Sequence, residues 1–222
     1  MNILITGISG NLGQVTARRL LADGHHVVGC VEPGIQLRLD GIPTLAANLE
    51  DEDSARGMVT SAIATTGRID YGILLAGGFA SGTIADSNQA AIDKMIALNF
   101  RTAVHVARPL HSHMIETGGG RIVLVGAKPG LQTELATGAV GYALSKSLVF
   151  RLAEIINSSG KGVDSAVIVP SIIDTPQNRK SMPDADFSKW VPAEGIAGVI
   201  SWLCSPDSKH LRETVIKIYG DS

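Results

Sequence analysis

The sequence predicts an α/β fold, a doubly wound parallel sheet of about seven strands with helices on both faces, three layers deep. Three observations predict it. Short apolar runs alternate with longer amphipathic segments along most of the 222 residues, as right-handed βαβ crossovers require. Runs such as RIVLV at 121–125 and DSAVIV at 164–169 show no strict polar alternation, which is how strands buried on both faces read. A glycine-rich turn, TGISGNLG at 6–13, joins the first strand to the first helix.

The elements follow in order. NILIT makes a strand at 2–6, and the glycine turn opens a helix at 12–23. His25 and His26 fall at the turn before a strand at 26–31, which ends at Glu32 and Pro33. A strand at 43–46, a helix at 51–66 and a strand at 71–76 come next. A long helix covers 88–117, then a strand 121–125, a helix 139–158 and a strand 163–169. The segment DTPQNRKSMPDADFSKWVP, 174–192, breaks the alternation: it is polar and holds three prolines. It reads as a substrate loop or lid with short helical turns, given an apolar side by Met182, Phe187 and Trp190. A helix at 193–204 and a strand at 214–218 finish the chain. No repeat, low-complexity tract or linker interrupts it, so one domain is expected over 1–222.

Composition narrows the function classes. Hydrophobic residues make up 45% and aromatics 4%, so the core is built from Val, Ile, Leu and Ala. A chain of this size buries roughly 70% of its unfolded surface and needs no disulfide staple. Cys30 and Cys204 lie far apart and form no CxxC motif, which suggests a reduced, cytoplasmic protein. A net charge of −2 with no basic block argues against nucleic acid and against an anionic membrane surface. MNILITG runs straight into a strand, so no signal peptide is expected, and no uncharged stretch is long enough to span a bilayer. His111 and His113 are two apart on a helix and do not share a face, so no metal site is expected.

The glycine turn carries a dinucleotide-binding, Rossmann-type signature. Gly7 permits the tight turn, Gly10 lets backbone approach a pyrophosphate, and Gly13 lets the helix pack on the sheet. Ser9, Asn11 and Leu12 complete the loop, and the helix N-terminus offers free N–H groups to phosphate. Glu32, at the end of the second strand, can accept both adenosine ribose hydroxyls and repels a 2′-phosphate. NADH is therefore favoured, while Arg38 nearby keeps NADPH open. Asn48 and Leu49, after the third strand, are further cofactor-contact candidates.

YALSK at 142–146 puts Tyr142 and Lys146 four apart on one helical face. A free phenol titrates near about 10, and a neighbouring ammonium and a cationic nicotinamide ring are expected to lower it. Lys146 can also hydrogen-bond the nicotinamide ribose.

TGISGNLG, LLAGG at 74–78, Asn99, YALSK and PSIIDT at 170–175 occur in the order of the short-chain dehydrogenase/reductase family, which the whole chain resembles. The resemblance implies an NAD(P)H-dependent oxidoreductase in which Tyr142, Lys146 and Asn99 are catalytic. It places Ala76, Gly77 and Gly78 on the adenine-side floor and Pro170, Ile172 and Thr175 beside the nicotinamide. It gives Asn99 a helix kink and a water in the proton relay. It also implies a small-molecule substrate and a homodimer or homotetramer.

The chain departs from that family in two places. Its glycines are spaced GxxGxxG, and the loop after RIVLV, GAKPGLQTELATG, has Ala127 where the catalytic serine belongs. Ser145 lies on the wrong side of Tyr142 to replace it. A missing hydroxyl removes help for developing oxyanion charge. GAK at 126–128, AGGFASG at 76–82 and DTPQNRKSMPDADFSKW at 174–190 resemble the dihydropteridine reductase branch, which manages without that serine. Phe79 then becomes a stacking candidate for the pterin, where that branch has Trp, with Ala127, Lys128, Met182 and Trp190 as further substrate-side residues. The alternatives are a general carbonyl or quinone reductase and a non-catalytic NAD(P)-sensing protein.

Overall fold

The computed structural model describes residues 1–211 and 214–221. Its main sheet has seven strands: β1 (Asn2–Thr6), β2 (His26–Val31), β3 (Thr44–Ala46), β4 (Tyr71–Leu74), β5 (Gly120–Val125), β6 (Val163–Pro170) and β9 (Val215–Ile218). Their order is β3-β2-β1-β4-β5-β6-β9, and every pairing is parallel. The helices are α1 (Asn11–Ala22), α2 (Glu52–Thr66), α3 (Gln89–Ile96), α4 (Thr102–Glu116), α5 (Val140–Ser158), α6 (Pro176–Ser181) and α7 (Ala193–Leu203). No helix among the described residues is long and apolar enough to cross a membrane.

Apolar residues on successive strand positions go to opposite faces. Leu4, Ile122 and Leu124 enter the core beneath α2, α4 and α5, while Ile3, Ile5 and Val123 enter the core beneath α1 and α7. Both faces are buried, which is why these strands carry no polar alternation. The chain winds outward in both directions from β1 and β4. Loops leaving those two strands therefore diverge and open a crevice at their C-terminal ends.

Three elements differ from the sequence expectation. β4 ends at Leu74 rather than at residue 76, because the Ala76 N–H goes to Thr6 Oγ1 at 3.2 Å instead of to the ladder. The long helix is α3 and α4 joined through a π-helical turn, Ala97–Arg101, whose extra residue re-aims the side chains it carries. The 174–192 excursion has its own structure. β7 (Ile173–Asp174) and β8 (Val191–Pro192) pair in parallel and close its neck, with α6 and a 3₁₀ turn at Phe187–Lys189 between them.

Candidate active site

The glycine turn has the geometry its spacing implies. Gly7 has φ +66°, and its carbonyl accepts the Gly10 N–H at 3.1 Å. A Cβ at Gly7 would lie 2.8 Å from Ala76 N. One at Gly13 would lie 2.3 Å from Gly7 O, so only glycine lets α1 approach this closely. α1 begins after Gly10 with no side-chain cap and no acidic residue in its first turn. Asn11, Leu12 and Gly13 form that first turn. Its N–H groups and the positive end of the helix dipole are left for an anion.

Beside this turn lies a cavity of about 450 Å³. Gly7, Ser9, Gly10 and Glu32 line it, as do Asn48, Leu49, Ala76 and Gly77. The sequence had pointed to all eight. It missed Cys30, Val31 and Pro33 around Glu32, and Leu98 and Thr102 around Asn99. Their nearness in sequence to Glu32 and Asn99 was the available signal. A cradle closed to any Cβ and a bare helix N-terminus beside a cavity of this size suit a dinucleotide.

The Tyr–Lys pair adjoins the far wall. A Cβ at Gly77 would sit 2.6 Å from Asn99 Oδ1 and 3.6 Å from Lys146 Nζ. Lys146 is buried on α5, and its ammonium donates to Val125 O at 2.9 Å. It lies 5.9 Å from the Tyr142 ring centroid. The expected lowering of the phenol pKa does not occur in the protein by itself. Burial dominates, pushing Tyr142 up to about 12 and pulling Lys146 down to about 8. Both shifts go toward the neutral form, as desolvation dictates.

Asn99 lies on the π turn and is 2% exposed. Its Oδ1 accepts the Gly78 N–H at 3.0 Å; its Nδ2 donates to Gly78 O at 3.0 Å and to Ser145 Oγ at 3.2 Å. These bonds use both Nδ2 protons and one of the two lone-pair positions on Oδ1. Ser145 faces Asn99 rather than the site, and its hydroxyl donates to Tyr142 O at 2.7 Å.

The remaining candidates surround this pair. Phe79, 66% exposed, meets Tyr142 edge to face at a centroid distance of 5.0 Å. Two backbone hydrogen bonds clamp its loop to the start of α5, Gly82 N to Gly138 O and Val140 N to Gly82 O, both 2.9 Å. Ala127 is buried, and the following turn lies on α5, where a Cβ at Gly130 would reach Lys146 Cβ at 3.0 Å. Lys128 Nζ lies 4.8 Å above the Tyr219 ring. Pro170 ends β6 beside Ile218. Ile172 O accepts the Val191 N–H at the neck of the excursion. Thr175 Oγ1 accepts the Asn178 N–H and caps α6, leaving its own proton to donate. Met182 is exposed. Trp190, a substrate-side candidate in the sequence, is 6% exposed and packs on Phe187 at 4.7 Å. Its indole therefore anchors the excursion instead of facing open space.

His111 meets Ser159 Oγ, while His113 accepts the Ile69 N–H. The two rings have different partners and do not converge.

Comparison with known proteins agrees with this geometry. The short chain dehydrogenase family model matches residues 1–186. Dihydropteridine reductase of Dictyostelium discoideum is 25% identical, over 97% of this chain and 93% of that protein. The 3-oxoacyl-[acyl-carrier-protein] reductase MabA of Mycobacterium bovis is 26% identical, over 99% of this chain and 91% of that protein. A short-chain type dehydrogenase/reductase structure from Mycobacterium ulcerans superposes with a TM-score of 0.89 at 22% identity, over 99% of this chain and 88% of that one. A glycine cradle at the switch point of a parallel sheet, a Tyr–Lys pair against its wall and a family match over most of the chain agree: this protein belongs to the short-chain dehydrogenase/reductase family and is an NAD(P)-dependent oxidoreductase.

Proposed function

We propose that the protein is an NADH-dependent reductase of a planar, conjugated and already activated substrate, with a quinonoid dihydropterin as the leading candidate. The observation that carries this reading is the chain's Ala127, which follows β5 where the family pattern has its serine, combined with an intact Tyr142–Lys146 pair on α5. A site with no serine hydroxyl cannot polarise an ordinary ketone well. A quinonoid ring gains stability on taking a hydride and needs less help.

A bound nicotinamide supplies the hydride. Gly7, Gly10 and the α1 N-terminus hold its pyrophosphate, and Glu32 accepts the adenosine ribose hydroxyls. Lys146 reaches the nicotinamide ribose, and Pro170, Ile172 and Thr175 flank the ring. Tyr142 donates its phenolic proton to the substrate atom that becomes basic, and the Lys146 ammonium stabilises the phenolate left behind. The exposed face of Phe79 stacks on the substrate ring, and Met182 and Lys128 bound the mouth. The resemblance to a dihydropteridine reductase supports the choice of substrate. The chain works as one domain with the 174–192 excursion as its substrate loop, in a homodimer or homotetramer. Two free, buried cysteines fit a reducing, cytoplasmic setting.

The test is NADH oxidation with quinonoid dihydropterin generated in situ, run beside NADPH and corrected for background. Enzyme-dependent turnover, faster with NADH, is expected. NADH binding without turnover would discard the pterin. Ala127 equally favours a second reading, a quinone reductase, because quinones are also activated. Phenanthrenequinone in the same assay separates the two.

A further inference from the structure

Ser145 takes no part in the chemistry proposed above, yet it is fully buried one residue before Lys146. Its hydroxyl does two things at once. It donates to Tyr142 O at 2.7 Å and accepts from Asn99 Nδ2 at 3.2 Å. Asn99 in turn grips both backbone groups of Gly78, at 3.0 Å each. The next residue is Phe79, whose ring returns to Tyr142 at 5.0 Å. These links form a closed circuit: Tyr142 backbone, Ser145 hydroxyl, Asn99 carboxamide, Gly78 backbone, Phe79 ring, Tyr142 ring.

We infer that Ser145 is a positioning residue, which locks the Tyr142 phenol to the Gly78–Phe79 loop through Asn99. The inference rests on the reading that Tyr142 is the proton donor. A hydroxyl bonded only within its own helix would brace one turn of α5. This one also ties α5 to the loop after β4 by way of the π turn, three segments far apart in sequence. Near-attack geometry is sensitive to small displacements, and a closed circuit restricts them where an open chain does not. The buried site also leaves Asn99 no solvent to bond with if Ser145 Oγ is removed. Cutting the circuit at Ser145 therefore releases the loop as well as the helix.

Ser145→Ala, Ser145→Cys and Tyr142→Phe are compared with the parent. Amide hydrogen exchange is followed in the free protein, with kcat, KM and NADH affinity measured on phenanthrenequinone or quinonoid dihydropterin, whichever the parent turns over. For Ser145→Ala, exchange is expected to accelerate about tenfold both at 77–80 and at 139–146. Turnover is expected to fall about tenfold in kcat, with NADH affinity within about twofold of the parent, and Ser145→Cys should recover part of both changes. Acceleration confined to 139–146, or parental exchange and kcat, overturns the inference. If Ser145→Ala does not fold, Ser145→Cys decides the matter on the same two readouts at smaller amplitude. Turnover that survives in Tyr142→Phe overturns the proton-donor reading itself. Its loss there, with parental behaviour in Ser145→Ala, overturns the positioning role alone.

Discussion

Tyr142 and Lys146 meet the same opposing force, since burial disfavours the charged form of each. The consequence for stability differs in sign. Between pH 8 and 10.5 the unfolded chain holds a proton on Lys146 that the native state has released, so stability rises with pH across that window. Between pH 10 and 12 the native state keeps the Tyr142 proton that the unfolded chain has lost, so stability falls. Urea unfolding of the parent and of Lys146→Met isolates the first effect. Their difference in stability should shift in the parent's favour by on the order of 3 kcal/mol from pH 8 to 10.5; a constant difference would show that Lys146 is solvated. Tyr142→Phe should lose at least about a thousandfold in kcat with NADH affinity unchanged, by initial rates and fluorescence titration. At the other end of the cavity, Glu32→Ser removes the charge that repels a 2′-phosphate. NADPH affinity is expected to rise about tenfold, roughly 1.4 kcal/mol, while NADH affinity falls.

At the scale of elements, α1 depends on a close approach that one methyl group prevents. In Gly13→Ala the new Cβ would stand 2.3 Å from Gly7 O and 2.7 Å from Ile8 Cα. Both atoms are backbone and cannot swing away, so the helix must lift from the cradle. A loss of about 3 kcal/mol is expected in urea unfolding, together with loss of NADH binding. The excursion is held differently. Its neck is a two-residue strand pair, and the Asp174–Arg179 ion pair at 2.7 Å is partly exposed, so it contributes little by itself. The buried Trp190 supplies the apolar anchor.

At the scale of the whole molecule, α5 is the site helix and also presents apolar side chains to solvent. Leu144, Leu148 and Ile155 are 49%, 37% and 61% exposed, and their spacing puts them on one stripe. The homodimer proposed above would bury this stripe. Replacing Ile155 with Arg places a charge there without touching the core. The expected result is a smaller species in sedimentation velocity with parental circular dichroism, whereas an unchanged sedimentation coefficient would remove the stripe from the interface.

The sequence alone determined the architecture, the glycine cradle, the Tyr–Lys pair and the absent serine. The first three are written in local periodicity or in the spacing of a few residues, and the missing serine shows only against the family pattern that the chain resembles. The tertiary structure decided the rest. Nothing in YALSK shows that Ser145 reaches Asn99, because that contact crosses 46 residues and depends on a π turn that no local pattern marks. Nor does composition reveal that Trp190 turns inward while Phe79 stays out, since both are aromatic residues in irregular segments. The upward direction of the Tyr142 shift in the protein without cofactor is hidden from the sequence for the same reason. A neighbouring lysine is visible in sequence, but desolvation is a property of everything packed around the pair, and here it is the larger effect.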